Sequence, residues 1–202
     1  MSAAEKFQQA LGAQLAIRLG PHYKFLKSRS ELRAEVSDGH HIIVLAGSNK
    51  YSPLVEVAFY LGKNFAAAKK IEKLLGIYSF PYHVQQYSPN FAIRGLGSYR
   101  GPCSWSVDIN NPSPELINQL AAAIEGLTVP FFERYGDIHA ARDAIASNDR
   151  DVFGGKMFWG QLLCLDLAID DLPHFVDWSA QLDELSRKQA SEIISKFRAL
   201  CQ

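Results

Sequence analysis

The stretch HHIIVLAGSNKYSPLVEVAFYLG, residues 40–62, constrains the fold of this chain more than any other part. Its first half, HIIVLA, is apolar at successive positions, which is typical of a strand buried on both faces. In its second half every other residue is apolar, which predicts a half-buried strand: Val55, Val57, Phe59 and Leu61. The polar residues between them lack the second glycine of a phosphate-binding loop, and a strand follows them rather than a helix. We therefore predict a hairpin with its tip at residues 47–53.

The flanking sequence predicts an α+β fold. Ser2 and Glu5 fit a capping box, and apolar residues at helical spacing predict a helix over residues 3–19. Short strand patterns follow, and CSWSVDI at 103–109 adds one more. From residue 113 onwards the pattern is helical. We expect a single domain, 1–202, in which a helix and an antiparallel sheet of about four to five strands (1–112) pack against a helical lobe (113–202).

Three local signals predict where helices begin and end. Asn64 is expected to cap a helix that ends at Gly76. Ser113 is expected to cap the next long helix, with Pro114 as its first residue. Pro130 is expected to end or kink that helix, because an interior proline removes a backbone hydrogen bond.

Composition narrows the class of protein. The chain has 202 residues, 48% of them hydrophobic and 21% charged, as in folded globular proteins. No apolar stretch approaches the roughly 18 residues of a membrane-spanning helix, and the N-terminus lacks a signal-peptide pattern. We expect a cytoplasmic protein without a membrane partner.

No sequence motif indicates a reaction or a cofactor. Cys103, Cys164 and Cys201 lie far apart without a C-x-x-C pair, which argues against a disulfide framework and a zinc site. His139 and Asp143 stand four residues apart on a predicted helix, as half of a metal site or as a surface ion pair. A catalytic set assembled only by the fold stays open, but we expect a non-catalytic protein with no cofactor.

The charge is distributed unevenly along the chain. Residues 1–100 carry 13 Lys and Arg against 6 Asp and Glu, or +7, and residues 101–202 carry 8 against 15, or −7. Either the two halves attract each other within one fold, or the surface offers a basic patch to one partner and an acidic patch to another.

The acidic part is concentrated between Met157 and Ser186, where no Lys or Arg occurs. Aromatic residues are interleaved with the acids. They either form the core beneath a solvated acidic face, or they anchor a basic protein that the acids attract. On the second hypothesis the partner-binding residues are Asp166, Asp170, Asp171, Asp177, Trp178, Asp183 and Glu184.

Two further sets of residues suggest other ligands. Arg94 and Arg100 flank glycines in RGLGSYRG, within a long Pro- and Gly-rich connection at 77–101, and are candidates for binding an anion as part of a small-ligand site or enzyme. Basic residues near the N-terminus alternate with aromatics and are candidates for binding nucleic acid: Lys24, Lys27, Arg29 and Arg33. The neutral overall charge and the absence of a recognition motif argue against that reading.

The layout of the first 135 residues or so also supports a resemblance. A starting helix, then KFLKSRSELRAEVSDGHHIIVLAGSNKYSPLVEVAFYLG, then PFFERYGDI resembles a group of small bacterial domains of unknown function. Some of these are encoded beside polymorphic toxins as immunity proteins. The resemblance implies a protein that blocks a toxin by binding it. Together with the acidic stretch it suggests a basic toxin, such as a nuclease.

Overall fold

The computed structural model describes residues 2–51, 53–77, 82–86 and 101–200, and for residues 48–51 it describes the backbone alone. Seven α-helices and six strands lie in these residues, which confirms the α+β class. The helices are α1 (Ala3–Leu19), α2 (Ala66–Leu75), α3 (Leu116–Tyr135), α4 (Ile138–Ala146), α5 (Trp159–Ala168), α6 (Leu172–Ser179) and α7 (Glu184–Leu200). The strands are β1 (Tyr23–Leu26), β2 (Glu31–Val36), β3 (Gly39–Tyr51), β4 (Leu54–Phe65), β5 (Val84–Gln85) and β6 (Ser104–Asp108).

The strands form one antiparallel sheet in the order β1-β2-β3-β4-β5, with β6 also paired to β4. β5 lies opposite Gly62 and Lys63, whereas β6 lies opposite the start of β4. The predicted hairpin is confirmed, and its strands are longer than expected because pairing runs from Gly39 and Phe65 out to Tyr51 and Leu54.

One face of the sheet carries the core. Alternate residues of β4, from Val55 to Leu61, are almost fully buried on this face. α1 packs closely on it, since a Cβ atom added at Gly12 would lie 2.2 Å from the Phe25 ring. α3 lies beside α1, and Arg18 and Glu125 form an ion pair between these two helices at 3.3 Å. One hydrophobic cluster joins side chains of the sheet with those of the C-terminal helices.

At the termini of α1 and α2, two of the predicted helix-capping signals are confirmed and one is wrong. The Ser2–Glu5 capping box of α1 forms as predicted. α2 ends at Gly76, whose φ of 66° lies in the left-handed region that glycine adopts without strain. The prediction that Asn64 caps α2 is wrong. Phe65 occupies the cap position, and the Asn64 side chain instead accepts a hydrogen bond from the His83 N–H.

The bounds of α3 also differ from the prediction. The helix begins at Leu116, and Ser113 stabilises the turn before it by accepting a hydrogen bond from the Glu115 N–H at 3.3 Å. Pro130 lies inside the helix, which continues to Tyr135. Phe131 and Tyr135, beyond the proline, are buried, and their burial offsets the backbone hydrogen bond that the proline removes.

Within the described ranges, no helix has the length and apolar character that crossing a membrane requires.

Candidate functional site

Charged side chains meet in the interior at one end of the sheet. Lys63 and His41 are cross-strand partners on β4 and β3, and they lie on the core-facing side. The Lys63 side chain is only 3% exposed. Its ammonium donates to Asp38 Oδ1 at 2.6 Å and lies 3.4 Å from His41 Nε2. A buried ammonium requires such partners, because desolvation is otherwise unfavourable.

His41 is held as a neutral ring. Its imidazole stacks on Phe132 of α3, with ring centroids 3.6 Å apart and planes 3° from parallel. Burial, and then the charge of Lys63, lower the pKa of His41 to about 4. At neutral pH the ring therefore offers a lone pair toward the Lys63 ammonium instead of repelling it.

A second buried group ties residues 82–86 to this end of the sheet. His83 Nδ1 accepts a hydrogen bond from the Phe65 N–H at 2.8 Å, so the ring proton is assigned to Nε2, which lies 3.2 Å from Glu72 Oε1. Burial alone would raise the pKa of Glu72, but hydrogen bonds and charges from His83 and Lys69 outweigh it and lower that pKa.

A third group lies on the opposite face of the sheet. The Tyr82 hydroxyl donates to Glu31 Oε1 at 2.6 Å, and Arg33 Nη2 lies 3.0 Å from the other oxygen of that carboxylate. Burial and the Glu31 charge raise the pKa of Tyr82. The charges at this end of the sheet thus bind one another and fix residues 82–86 in place, which is a structural role.

The described residues give little support to nucleophilic or metal chemistry. Burial raises the pKa of the Cys103 thiol to about 11 and that of Cys164 to about 12, so neither ionises readily to a thiolate. Cys201 lies outside the described residues. In the described part of the chain, no group of three or more His, Cys, Asp or Glu could hold a metal ion. Asp143 pairs with Arg142 rather than with His139.

The acidic C-terminal stretch contains its own buried network. Asp166 on α5 is fully buried, and both of its carboxylate oxygens lie within 3.0 Å of His174 Nδ1 on α6. Arg142 of α4 donates to Asp166 at 3.2 Å and to Asp171 at 2.8 Å. Burial raises the pKa of Asp166 although the hydrogen bonds from His174 and Arg142 oppose it, while the hydrogen bond from Arg142 lowers the pKa of Asp171. This network joins three helices.

The structure divides the predicted partner-binding residues into two groups. Asp166 is fully buried, so a partner cannot reach it. Asp171 caps α6 and binds Arg142, and Asp183 binds the Ser186 N–H and hydroxyl at the start of α7. Trp178 is partly buried, and its indole N–H donates to the Ala146 carbonyl at 3.0 Å. The remaining three are exposed, as Asp183 is, and their carboxylates bond to no other described residue: Asp170, Asp177 and Glu184.

These three carboxylates are free of cations. In the described residues none of them forms an ion pair, whereas Asp166 and Asp171 both do. Two aliphatic side chains adjoin them in sequence: Val176, 46% exposed, and Leu185, 67% exposed. We call these five residues the acidic corner: Asp170, Val176, Asp177, Glu184 and Leu185. Phe158 and Phe175, two of the aromatic residues interleaved with the acids, are buried and do not belong to this surface.

Within the described ranges, the other candidate residues form no assembled site. Arg94 and Arg100 lie outside the described residues. Lys24, Lys27 and Arg29 are exposed near β1, while Arg33 is bound to Glu31. A groove between α1 and the start of α3 holds about 310 Å³ and has mainly apolar walls that include Phe7, Leu11 and Ile117.

The chain matches no protein-family model, no curated protein and no solved structure.

Sequence reasoning missed the residues that bind the acids internally. Arg142 and His174 were not singled out, although both decide which acids reach the surface. One local signal was present, since Asp171 followed by Pro173 and His174 has the pattern of a helix start. No local signal links Arg142 to Asp166, because these residues are 24 positions apart.

Proposed function

We propose that this protein acts by binding another protein, and that the acidic corner docks on a basic surface of that partner. One observation carries the proposal: three exposed carboxylates, adjoined in sequence by two exposed aliphatic side chains, form no ion pair or side-chain hydrogen bond with another described residue, whereas Asp166, Asp171 and Asp183 are each bound.

The chemistry of the corner suits a basic partner. Unpaired carboxylates attract an oppositely charged surface over about a Debye length and speed its encounter. On contact, the apolar surfaces of Val176 and Leu185 are removed from water, and this burial makes the free energy of binding more favourable without fixing a direction. The carboxylates select the sign of the partner's charge, and the aliphatic side chains add to affinity.

We further propose that the partner is a basic toxin neutralised by direct binding in the cytoplasm. Two observations support this finer proposal: the acidic corner, and the resemblance of the first 135 residues to immunity-type bacterial domains.

The test is binding by a variant in which the corner loses its charge but keeps its shape. Asp170→Asn, Asp177→Asn and Glu184→Gln are combined. Asp170 has a φ of 59°, and asparagine tolerates this left-handed conformation, so the backbone is conserved. Asp183 is left intact because it caps α7. A matched control neutralises three exposed acids elsewhere: Glu56, Glu115 and Glu133.

The tagged protein is used to capture partners from its host, and the captured basic protein is purified and titrated. We expect the corner variant to bind it at least about tenfold more weakly at low salt, with slower association, and to melt at the wild-type temperature. The control is expected to bind as the wild type does. Equal affinity of the corner variant and the control would refute the acidic corner as the docking surface.

A further inference from the structure

His174 lies in the first turn of α6, the helix that carries Asp177 of the acidic corner, and the buried Asp166 orients its ring. It stands three residues before Asp177 on α6, a spacing that places both side chains on one side of the helix. The His174 side chain is 32% exposed, whereas Asp166, which holds it, is fully buried. The exposed part of the imidazole is therefore the edge that points away from Asp166.

The contacts fix the tautomer of the ring. Both oxygens of Asp166 lie within 3.0 Å of His174 Nδ1, and a carboxylate only accepts, so Nδ1 carries the proton. In its neutral form the ring then has its lone pair on Nε2. No described residue forms a hydrogen bond with Nε2. Arg142 binds Asp166 and Asp171 from the other side, which holds the carboxylates in position.

We propose that His174 Nε2 is the hydrogen-bond acceptor with which the acidic corner recognises an arginine of its partner. A carboxylate attracts any cation from many directions. A locked imidazole accepts along one direction in the plane of its ring. A guanidinium presents several N–H groups in a fixed plane, so it can donate to Nε2 and to the nearby Asp177 carboxylate together. A lysine ammonium lacks this planar geometry.

The inference rests on the proposed function and names the chemical group that the acidic corner binds, a guanidinium. Arginine-rich segments of a basic protein are its expected ligands, and lysine-rich segments of equal charge are expected to bind more weakly. His174 thereby adds specificity to a surface whose carboxylates supply general attraction.

Two substitutions separate recognition from support. His174→Asn keeps an amide N–H near the position of Nδ1, so the bond to Asp166 is conserved while Nε2 is lost. The triple corner variant removes the carboxylates and keeps His174. The probe is a hexa-arginine peptide, compared with hexa-lysine, and its affinity is measured by titration at low salt.

We expect His174→Asn to weaken hexa-arginine binding by about threefold to tenfold, with little change for hexa-lysine. In the wild-type protein, hexa-arginine should shift the nitrogen resonance of His174 Nε2. This measurement needs no variant and keeps the inference testable if His174→Asn lowers the melting temperature.

Three outcomes would overturn parts of this account separately. Wild-type affinity of His174→Asn for hexa-arginine, with loss of binding in the corner variant, refutes the inference and leaves the proposed function standing. An unshifted His174 Nε2 resonance at saturating hexa-arginine also refutes the inference. Wild-type affinity of both variants counts against the acidic corner itself.

Discussion

The charged end of the sheet and the acidic corner contain similar residues and use them differently. At the sheet end, Lys63, Glu31 and Glu72 are almost fully buried, and each binds a partner from a neighbouring element. At the corner, Asp177 and Glu184 are exposed and unpaired among the described residues. Buried charges bound to one another specify the structure, because each would be strongly unfavourable alone. Exposed unpaired charges add little to stability and are available to a partner.

The most direct test of this difference is to remove Arg142, the cation that binds Asp166 and Asp171. Arg142→Ala leaves Asp166 buried with the His174 N–H as its remaining side-chain donor among the described residues. We expect a loss of about 3 kcal/mol in the free energy of unfolding, the lower end for an uncompensated buried charge. Denaturant titration measures this loss.

Arg150→Ala, at an exposed arginine on the following turn, is the control and is expected to change stability by less than about 0.5 kcal/mol. Similar losses in the two variants would contradict a structural role for the buried network.

A smaller effect is expected at the sheet end. Tyr82→Phe removes the hydroxyl that donates to the buried Glu31 carboxylate. A hydrogen bond to a charged group contributes about 2 kcal/mol, and we expect that loss in the free energy of unfolding. Tyr60→Phe, on the same face of the sheet, is the matched control, since no described residue bonds to its hydroxyl. A Tyr82 variant as stable as the Tyr60 variant would show that Glu31 is satisfied without Tyr82.

A third expected effect is a change in how the free energy of unfolding depends on pH. The pKa of His41 is lowered in the folded protein from 6.5 to about 4, so between these values the unfolded chain binds a proton that the folded protein does not. Stability therefore falls as pH falls through this window, by at most about 1.4 kcal/mol per pH unit. His41→Phe preserves a ring that can stack on Phe132 and removes the titrating group.

Unfolding free energies of the wild type and of His41→Phe, measured at intervals from pH 7 to pH 4, test this expectation. The variant should show the shallower dependence. Parallel curves would mean that His41 titrates alike in the folded and unfolded chain, and the proposed neutral acceptor for Lys63 would be wrong.

Most of the secondary structure was predictable because its signals are local. The capping box at Ser2 and Glu5, the hairpin of residues 40–62, and the strand at 103–109 each have their signals within a few neighbouring residues. Packing outweighed a local preference at two positions. Pro130 does not end α3, because the residues after it are buried, and Asn64 binds the distant His83 instead of capping α2.

The candidate site was predicted only in part. Asp170, Asp177 and Glu184 were named from the sequence and are exposed, whereas Asp166 was named with them and is fully buried. Composition showed that acids are concentrated in this stretch. It could not show which of them a cation from another helix binds, since Arg142 lies in a different part of the sequence.

By itself, the sequence determined the α+β class, the order of helices and strands, and the acidic character of the C-terminal stretch, since periodicity, caps and composition act over short distances. Only the tertiary structure decided which charges are interior. Glu31 meets Tyr82 across 51 positions, and Asp166 meets Arg142 across 24. A buried charge is stable only where the fold brings such a partner within hydrogen-bonding distance. Because the partners are far apart along the chain, no short stretch of sequence predicts that contact.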